Sequence, residues 1–160
     1  MEKSHFLTVL LLFSLALAMV SAGTKCEDGW TFFQRPSRGV CLKFIQPQGN
    51  VREFTYDFVQ KRCQQIGASL AGVQNLAESE WFDKQTISLI WIAAKRVPNS
   101  DEFVTTDPYI DGKGWYNIPM YRGKQERDRS CECLYHNDGL TRVHGCEAWL
   151  PYYACVKLAT

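Results

Sequence analysis

The chain has 160 residues, with 18 lysines and arginines against 17 aspartates and glutamates and a formal net charge of +1. That balance argues against a nucleic-acid binder and against a receptor for strongly acidic ligands, both of which concentrate basic charge. The length suits one ordinary domain with room for a real core.

Met1-Glu-Lys-Ser-His5 is followed by an almost wholly apolar run from Phe6 to Val20, then by the small residues Ser21-Ala22-Gly23. This is the layout of a secretory leader cut after Ala22. The run is short for a membrane span, which needs ~20 residues, and no later segment approaches one. The expected organisation is a leader over 1–22 and a single extracellular domain over 23–160. All seven cysteines (26, 41, 63, 131, 133, 146 and 155) follow the leader. In an oxidising compartment they form a disulfide framework, and their odd number leaves one thiol free or pairs two chains. None of Asn50, Asn75, Asn99, Asn117 and Asn137 heads an Asn-x-Ser/Thr glycosylation signal.

Asp28-Gly29 marks a turn, and Trp30, Phe32 and Val40-Cys41-Leu42 have strand character, with Arg35-Pro36-Ser37-Arg38-Gly39 turning between them. Cys26 and Cys41 lie on opposite sides of this hairpin, which suits a local bridge. After the loop Gln46-Pro47-Gln48-Gly49-Asn50, a helix is predicted from Phe54-Thr55 to Ile66. Thr55 is its N-cap, Asp57 favours its first turn, Phe54 can staple onto Val59, and Gly67 stops it. Val59, Cys63 and Ile66 share one face at i, i+4, i+7 spacing, so Cys63 faces the core.

Leu70 to Val73 reads as a short extended piece. Asn75-x-x-Glu78 has capping-box spacing and opens a second helix through about Gln85. Ile87 to Ala93 is nearly all apolar, the pattern of a strand buried on both faces. From Lys95 to about Arg129 the sequence turns loop-like, with Pro98, Asp107-Pro108, Asp111-Gly-Lys-Gly114 and Pro119. So long a stretch without secondary structure is usually functional or disordered. Asn137-Asp-Gly139 between Glu132–Tyr135 and Leu140–Val143 signals a hairpin, and Tyr152 to Leu158 closes the chain as a strand.

Taken in order, several motifs resemble a C-type lectin-like domain of the long form, nearest to the secreted nematode type. Cys26-x-x-Gly29-Trp30-x-x-Phe33 with Cys41-Leu42 resembles its N-terminal hairpin. Cys63-x-x-x-Gly67-Ala68-x-Leu70-Ala71-x-Val73-x-Asn75-x-x-Glu78 resembles its first helix, strand and second helix. Trp91-Ile92-Ala93-Ala94 resembles its core strand, with alanine where glycine is usual, and Phe103-x-x-Thr106-Asp107 resembles the segment that opens its long loop. The resemblance implies an α+β fold with two helices, two small antiparallel sheets and a long loop region, stapled by disulfides. It implies the bridges Cys26–Cys41 and Cys63–Cys155 and a third from the hairpin strand to Cys146. Cys133 is preferred for the third, because Leu134 beside it can enter the core whereas Glu132 beside Cys131 resists burial. Cys131 remains the alternative partner of Cys146; if free, it could link two chains.

The resemblance also implies a secreted, non-enzymatic recognition module for carbohydrate or protein ligands, with a role in innate immunity or host interaction. Sugar-binding members hold calcium through an acidic or amide Pro-containing triplet in the long loop and an Asn-Asp pair in the hairpin. The matching positions here are Ile118-Pro119-Met120 and Arg142-Val143. Calcium wants six to eight hard oxygen ligands; Ile, Met and Val supply none, and Arg142 adds positive charge. Calcium binding and other cofactors are therefore not expected, and Asn137-Asp138 is read as turn chemistry. The candidate ligand-binding residues are Tyr109, Tyr116 and Tyr121, which can stack on sugars or anchor a protein, and the basic run Arg122, Lys124, Arg127 and Arg129, which can meet sulfated glycan, phospholipid headgroup or acidic protein. Trp115 is assigned to the core. The alternative class is a secreted enzyme or metal-dependent effector built on Cys131, His136 and His144. Nucleic-acid partners are not expected.

Overall fold

The computed structural model describes residues 23–46, 54–86, 88–100, 102–112, 132–137 and 139–160. The leader over 1–22, Trp115 and Cys131 lie outside the described residues.

In chain order the elements are β1 (Thr31–Gln34), β2 (Gly39–Ile45), α1 (Tyr56–Gln65), β3 (Ser69–Leu70), α2 (Leu76–Gln85), β4 (Ile90–Arg96), β5 (Phe103–Thr105), β6 (Glu132–Asn137), β7 (Leu140–Gly145) and β8 (Tyr152–Leu158). The strands form two antiparallel groups. One is β1-β2-β8, with β3 added to β8; the other is β4-β6-β7, with β5 added to β4. A short parallel pairing joins them, Ile90 opposite Tyr152 and Trp91 opposite Tyr153.

The first hairpin forms where Phe33 faces Val40 and Gln34 faces Gly39. α1 begins after Thr55, whose backbone is extended but whose side chain makes no capping bond. Phe54 stacks on Phe58, ring centroids 5.3 Å apart, rather than reaching for Val59 alone. The helix ends one residue earlier than predicted. Ile66 leaves helical geometry at φ −103° and ψ 18°, so its side chain swings off the buried face and is 49% exposed, while Val59 and Cys63 are buried. Gly67 then takes φ +70°, the left-handed conformation that glycine adopts without a Cβ clash.

β4 is the central strand, shifted three residues beyond the predicted 87–93. Thr86 and Ser88 form a turn in which the Thr86 hydroxyl accepts from the Ser88 amide, delaying the strand to Ile90. At its far end Lys95 and Arg96 stay in the strand because β5 pairs with them: Lys95 faces Val104 and Arg96 faces Phe103. The loop-like reading is corrected at residues 95–96 and 103–105, which are strand. Asn99, at φ 59°, makes the connecting turn.

β4 separates two apolar clusters. Ile90, Ile92 and Ala94 pack with Val40, Leu42, Phe82 and Val156 on the α2 side. Trp91 and Ala93 pack with Tyr56, Val59, Leu70 and the buried cysteines on the α1 side. Burial on both faces is the reason the run lacks polar alternation. The Trp91 indole N–H donates to the Phe54 carbonyl at 2.7 Å, satisfying its polar edge inside the core.

Among the described residues three disulfides staple the fold: Cys26–Cys41, Cys63–Cys155 and Cys133–Cys146. The second spans 92 residues and ties α1 to β8, and the third uses Cys133 of the two hairpin candidates. Such a framework belongs to an oxidising compartment.

Candidate functional site

The segment from Thr105 to Gly112 is the root of the long loop, and a buried polar network fixes it. Asp107 is 2% exposed. Its Oδ2 accepts from the Gly72 amide at 2.8 Å and from Arg35 Nη1 at 2.9 Å, and its Oδ1 accepts from the Tyr109 amide at 2.8 Å. Arg35 also grips Glu78 with two parallel bonds, Nε to Oε1 at 2.8 Å and Nη2 to Oε2 at 3.0 Å. Burial opposes the Arg35 charge, but Asp107 and Glu78 outweigh it and hold the guanidinium above its usual range. One cation and two carboxylates give this cluster a formal charge of −1, and the backbone amides of Gly72, Gln74 and Tyr109 donate to its carboxylates.

The sequence explains the placement. Asn75 caps α2 by accepting from the Glu78 amide at 3.1 Å, which sets Glu78 in the first turn. The Glu78 carboxylate does not return to Asn75 as in a full capping box. It accepts instead from the Gln74 amide at 2.8 Å and from Arg35. Gln74 in turn exchanges two bonds with Asp111, its Oε1 accepting from the Asp111 amide at 2.6 Å and its Nε2 donating to the Asp111 carbonyl at 3.2 Å. The Asp111 carboxylate accepts from the Ser37 amide and hydroxyl, so the first hairpin also holds the loop. On the other side Tyr56 of α1 shares a hydrogen bond with Thr106 at 2.9 Å, and burial pushes the Tyr56 hydroxyl above its ordinary pKa.

Gly72 allows the close approach. A Cβ there would meet two Ile110 side-chain carbons at 3.2 Å and the Asp107 Cβ at 3.4 Å. Ile110 and Tyr109 both pack against the core. Tyr109 is half-buried. The other candidate ligand residues, Tyr116, Tyr121, Arg122, Lys124, Arg127 and Arg129, lie outside the described residues, as do Ile118, Pro119 and Met120.

The hairpin β6–β7 pairs with β4 through β6. Val143 packs against the core and Arg142 faces Tyr135 across the ladder. With Leu140, Thr141 and His144, this strand presents no carboxylate, so its residues do not fit the oxygen set calcium requires. Among the described residues no cluster of three histidine, cysteine or acidic side chains could hold a metal ion.

His136 and His144 do not converge. Cys133 faces His144 and His136 faces Thr141, so alternation sends the two imidazoles to opposite faces of the hairpin. His136 is fully buried. Its Nε2 lies 2.9 Å from Asp83 Oδ1 and 3.5 Å from Ser79 Oγ. Both contacts fall on the same nitrogen, whereas a proton relay needs the acid and the hydroxyl on different ones. Asp83 also accepts from the Gly139 amide at 3.0 Å, so this group ties α2 to the hairpin turn.

Sequence reasoning missed Arg35, which it placed only in the turn of the first hairpin. It also treated Glu78 as half of a cap and Asp107 as the start of a loop. The available signal was an arginine at the end of a strand together with two carboxylates at the edges of apolar motifs.

With this geometry in view, solved structures provide the comparison. The chain is similar to the cow C-type carbohydrate-recognition domain of CD23, with 18% identity and a TM-score of 0.65 over 86% of this chain and 98% of that one. It is similar to a calcium-independent type II antifreeze protein, with 18% identity and a TM-score of 0.62 over 85% and 96% of the two chains. The mouse scavenger receptor C-type lectin carbohydrate-recognition domain gives 16% identity and a TM-score of 0.60 over 84% and 98%. The chain therefore has the C-type lectin-like fold. No protein-family model matches it, and no curated protein matches it by sequence.

Proposed function

We propose that this chain is a secreted, non-enzymatic recognition module that binds a carbohydrate or protein ligand without calcium. Binding uses the long loop beyond residue 112 and the β6–β7 hairpin, with Tyr109, Tyr116, Tyr121 and the basic run Arg122, Lys124, Arg127 and Arg129 as its contacts. Residues 1–22 act as the leader and 23–160 as the mature domain, working outside the cell in host interaction or innate immunity. The likeness to nematode members rests on the sequence motifs alone.

The observation that carries the reading is the pairing of an anchored loop root with a β7 strand that lacks calcium ligands. The Arg35–Glu78–Asp107 cluster holds the root by internal charge, and Val143, packed against the core, offers no side-chain oxygen. Two fold neighbours support the separable parts: the CD23 domain was crystallised in the presence of a GlcNAc2Man3 oligosaccharide, and the type II antifreeze protein is calcium-independent.

A glycan array run with calcium and with a chelator tests this. Equal binding under both conditions, weakened by salt for sulfated glycans, is the expected result. Binding to neutral sugars that vanishes with chelator would overturn the calcium-independent reading. A blank array would move the ligand class to protein.

A further inference from the structure

A groove of about 320 Å³ lies between α1 and the edge of β2 and β8, and none of its lining residues belongs to the long loop or the β6–β7 hairpin. Phe54 and Tyr153, 7% and 5% exposed, lie at its base. Their rings meet edge to face with centroids 5.4 Å apart, and Phe54 stacks flat on Phe58. Phe58 and Ile66 stand at the rim as two of the large apolar side chains exposed on this domain. The departure of Ile66 from the helix is what places it there.

The polar lining has one sign. Lys43 and Arg62 contribute positive charge and no lining residue is acidic. Arg62 lies 5.8 Å from the Phe58 ring, and its Nη1 donates to the neutral Gln65 amide oxygen at 3.1 Å. Lys43 lies 5.7 Å from the Trp30 ring. Neither forms an ion pair among the described residues, although Lys95 pairs with Asp57 and Lys157 pairs with Glu27 elsewhere on the surface. Ligand pockets of a few hundred Å³ combine an apolar lining with a few placed polar groups. An aromatic floor beside two cations complements a small molecule with an apolar body and an anionic head. The planar fork of a guanidinium matches a carboxylate.

We propose that this groove binds a small amphiphilic anion, a medium-length alkyl carboxylate whose chain lies across Phe54, Phe58 and Ile66 and whose head meets Arg62. The site is independent of the loop and works whether or not the loop binds glycan.

The test is a titration of the isotope-labelled, disulfide-intact protein with sodium decanoate below its micellar concentration, followed by amide chemical shifts. Shifts should cluster at Phe58, Arg62, Ile66 and Tyr153. Arg62→Gln should weaken binding about tenfold, the loss of one charge-assisted hydrogen bond, and Arg62→Lys should restore part of it. Ile66→Asp, at an exposed site, should abolish binding with the melting temperature unchanged. Decyltrimethylammonium should bind at least tenfold more weakly than decanoate. Equal affinity for that cation, an unaltered Arg62→Gln variant or shifts scattered elsewhere would overturn the proposal. So would a response to phosphatidylglycerol vesicles with none to free decanoate, which would assign the groove to a membrane surface.

Discussion

Arg35 and Glu78 meet in a two-pronged ion pair, Nε to Oε1 at 2.8 Å and Nη2 to Oε2 at 3.0 Å, with neither side chain exposed to solvent. Breaking a buried pair by removing one partner costs about 3–5 kcal/mol, because the other charge is left uncompensated. Arg35→Met strands two carboxylates and should lower unfolding free energy by about that amount, read by urea denaturation. Arg35→Lys should recover only part, since one ammonium cannot reproduce the fork to Glu78 and the bond to Asp107 together. Wild-type stability in either variant would mean that the cluster does not hold the loop root.

Gly72→Ala should destabilise by about 1–2 kcal/mol through overpacking against Ile110. The double variant Gly72→Ala with Ile110→Ala should lose less than the sum of the two single variants, because the second change removes the atoms the new Cβ meets. Additive losses in the denaturation cycle would rule out that contact as the cause.

Cys63→Ala opens a bridge across 92 residues between α1 and β8. The long closed loop predicts a cost of about 2–5 kcal/mol. Calorimetry of Cys63→Ala and Cys155→Ala should show matching drops in melting temperature, and the double variant should add little to either.

Asp111 gives the acid limb a defined sign. The Ser37 hydroxyl is the largest cause holding its carboxyl below the ordinary aspartate range; desolvation, second in size, opposes it, and the Ser37 amide, Arg38 and Arg35 act with the hydroxyl. A carboxyl depressed on folding contributes stability above its unfolded value and loses it as pH falls through the folded one. The contribution is therefore full at neutral pH and fades below about pH 4. Asp111→Asn should lower the melting temperature slightly at pH 7 and hardly at pH 3. A loss that grows toward acid would contradict this assignment.

Much of the fold was legible because its signals are local. Gly67 marked a helix end by a conformation it alone adopts easily, Asn75 capped α2 from its position before Glu78, and the apolar run around Trp91 announced burial on both faces. Boundaries were less legible. Ile66 had the right spacing for the core face, but the helix stopped first, and whether a terminal turn continues depends on packing rather than on spacing. The ends of β4 likewise depended on the arrival of β5, which strand propensity alone does not report.

The candidate site divides along the same line. By itself the sequence determined where the cysteines lie, the order of the helices and of most strands, and the lack of a side-chain carboxylate or amide at Arg142-Val143, since each is a matter of residue type at a position. Only the tertiary structure decided that Arg35, Glu78 and Asp107 form one buried cluster, and that His136 and His144 point apart. Arg35 lies 43 residues from Glu78 and 72 from Asp107. A charge reads as solvated until its distant partner is brought beside it, and no local pattern records that meeting.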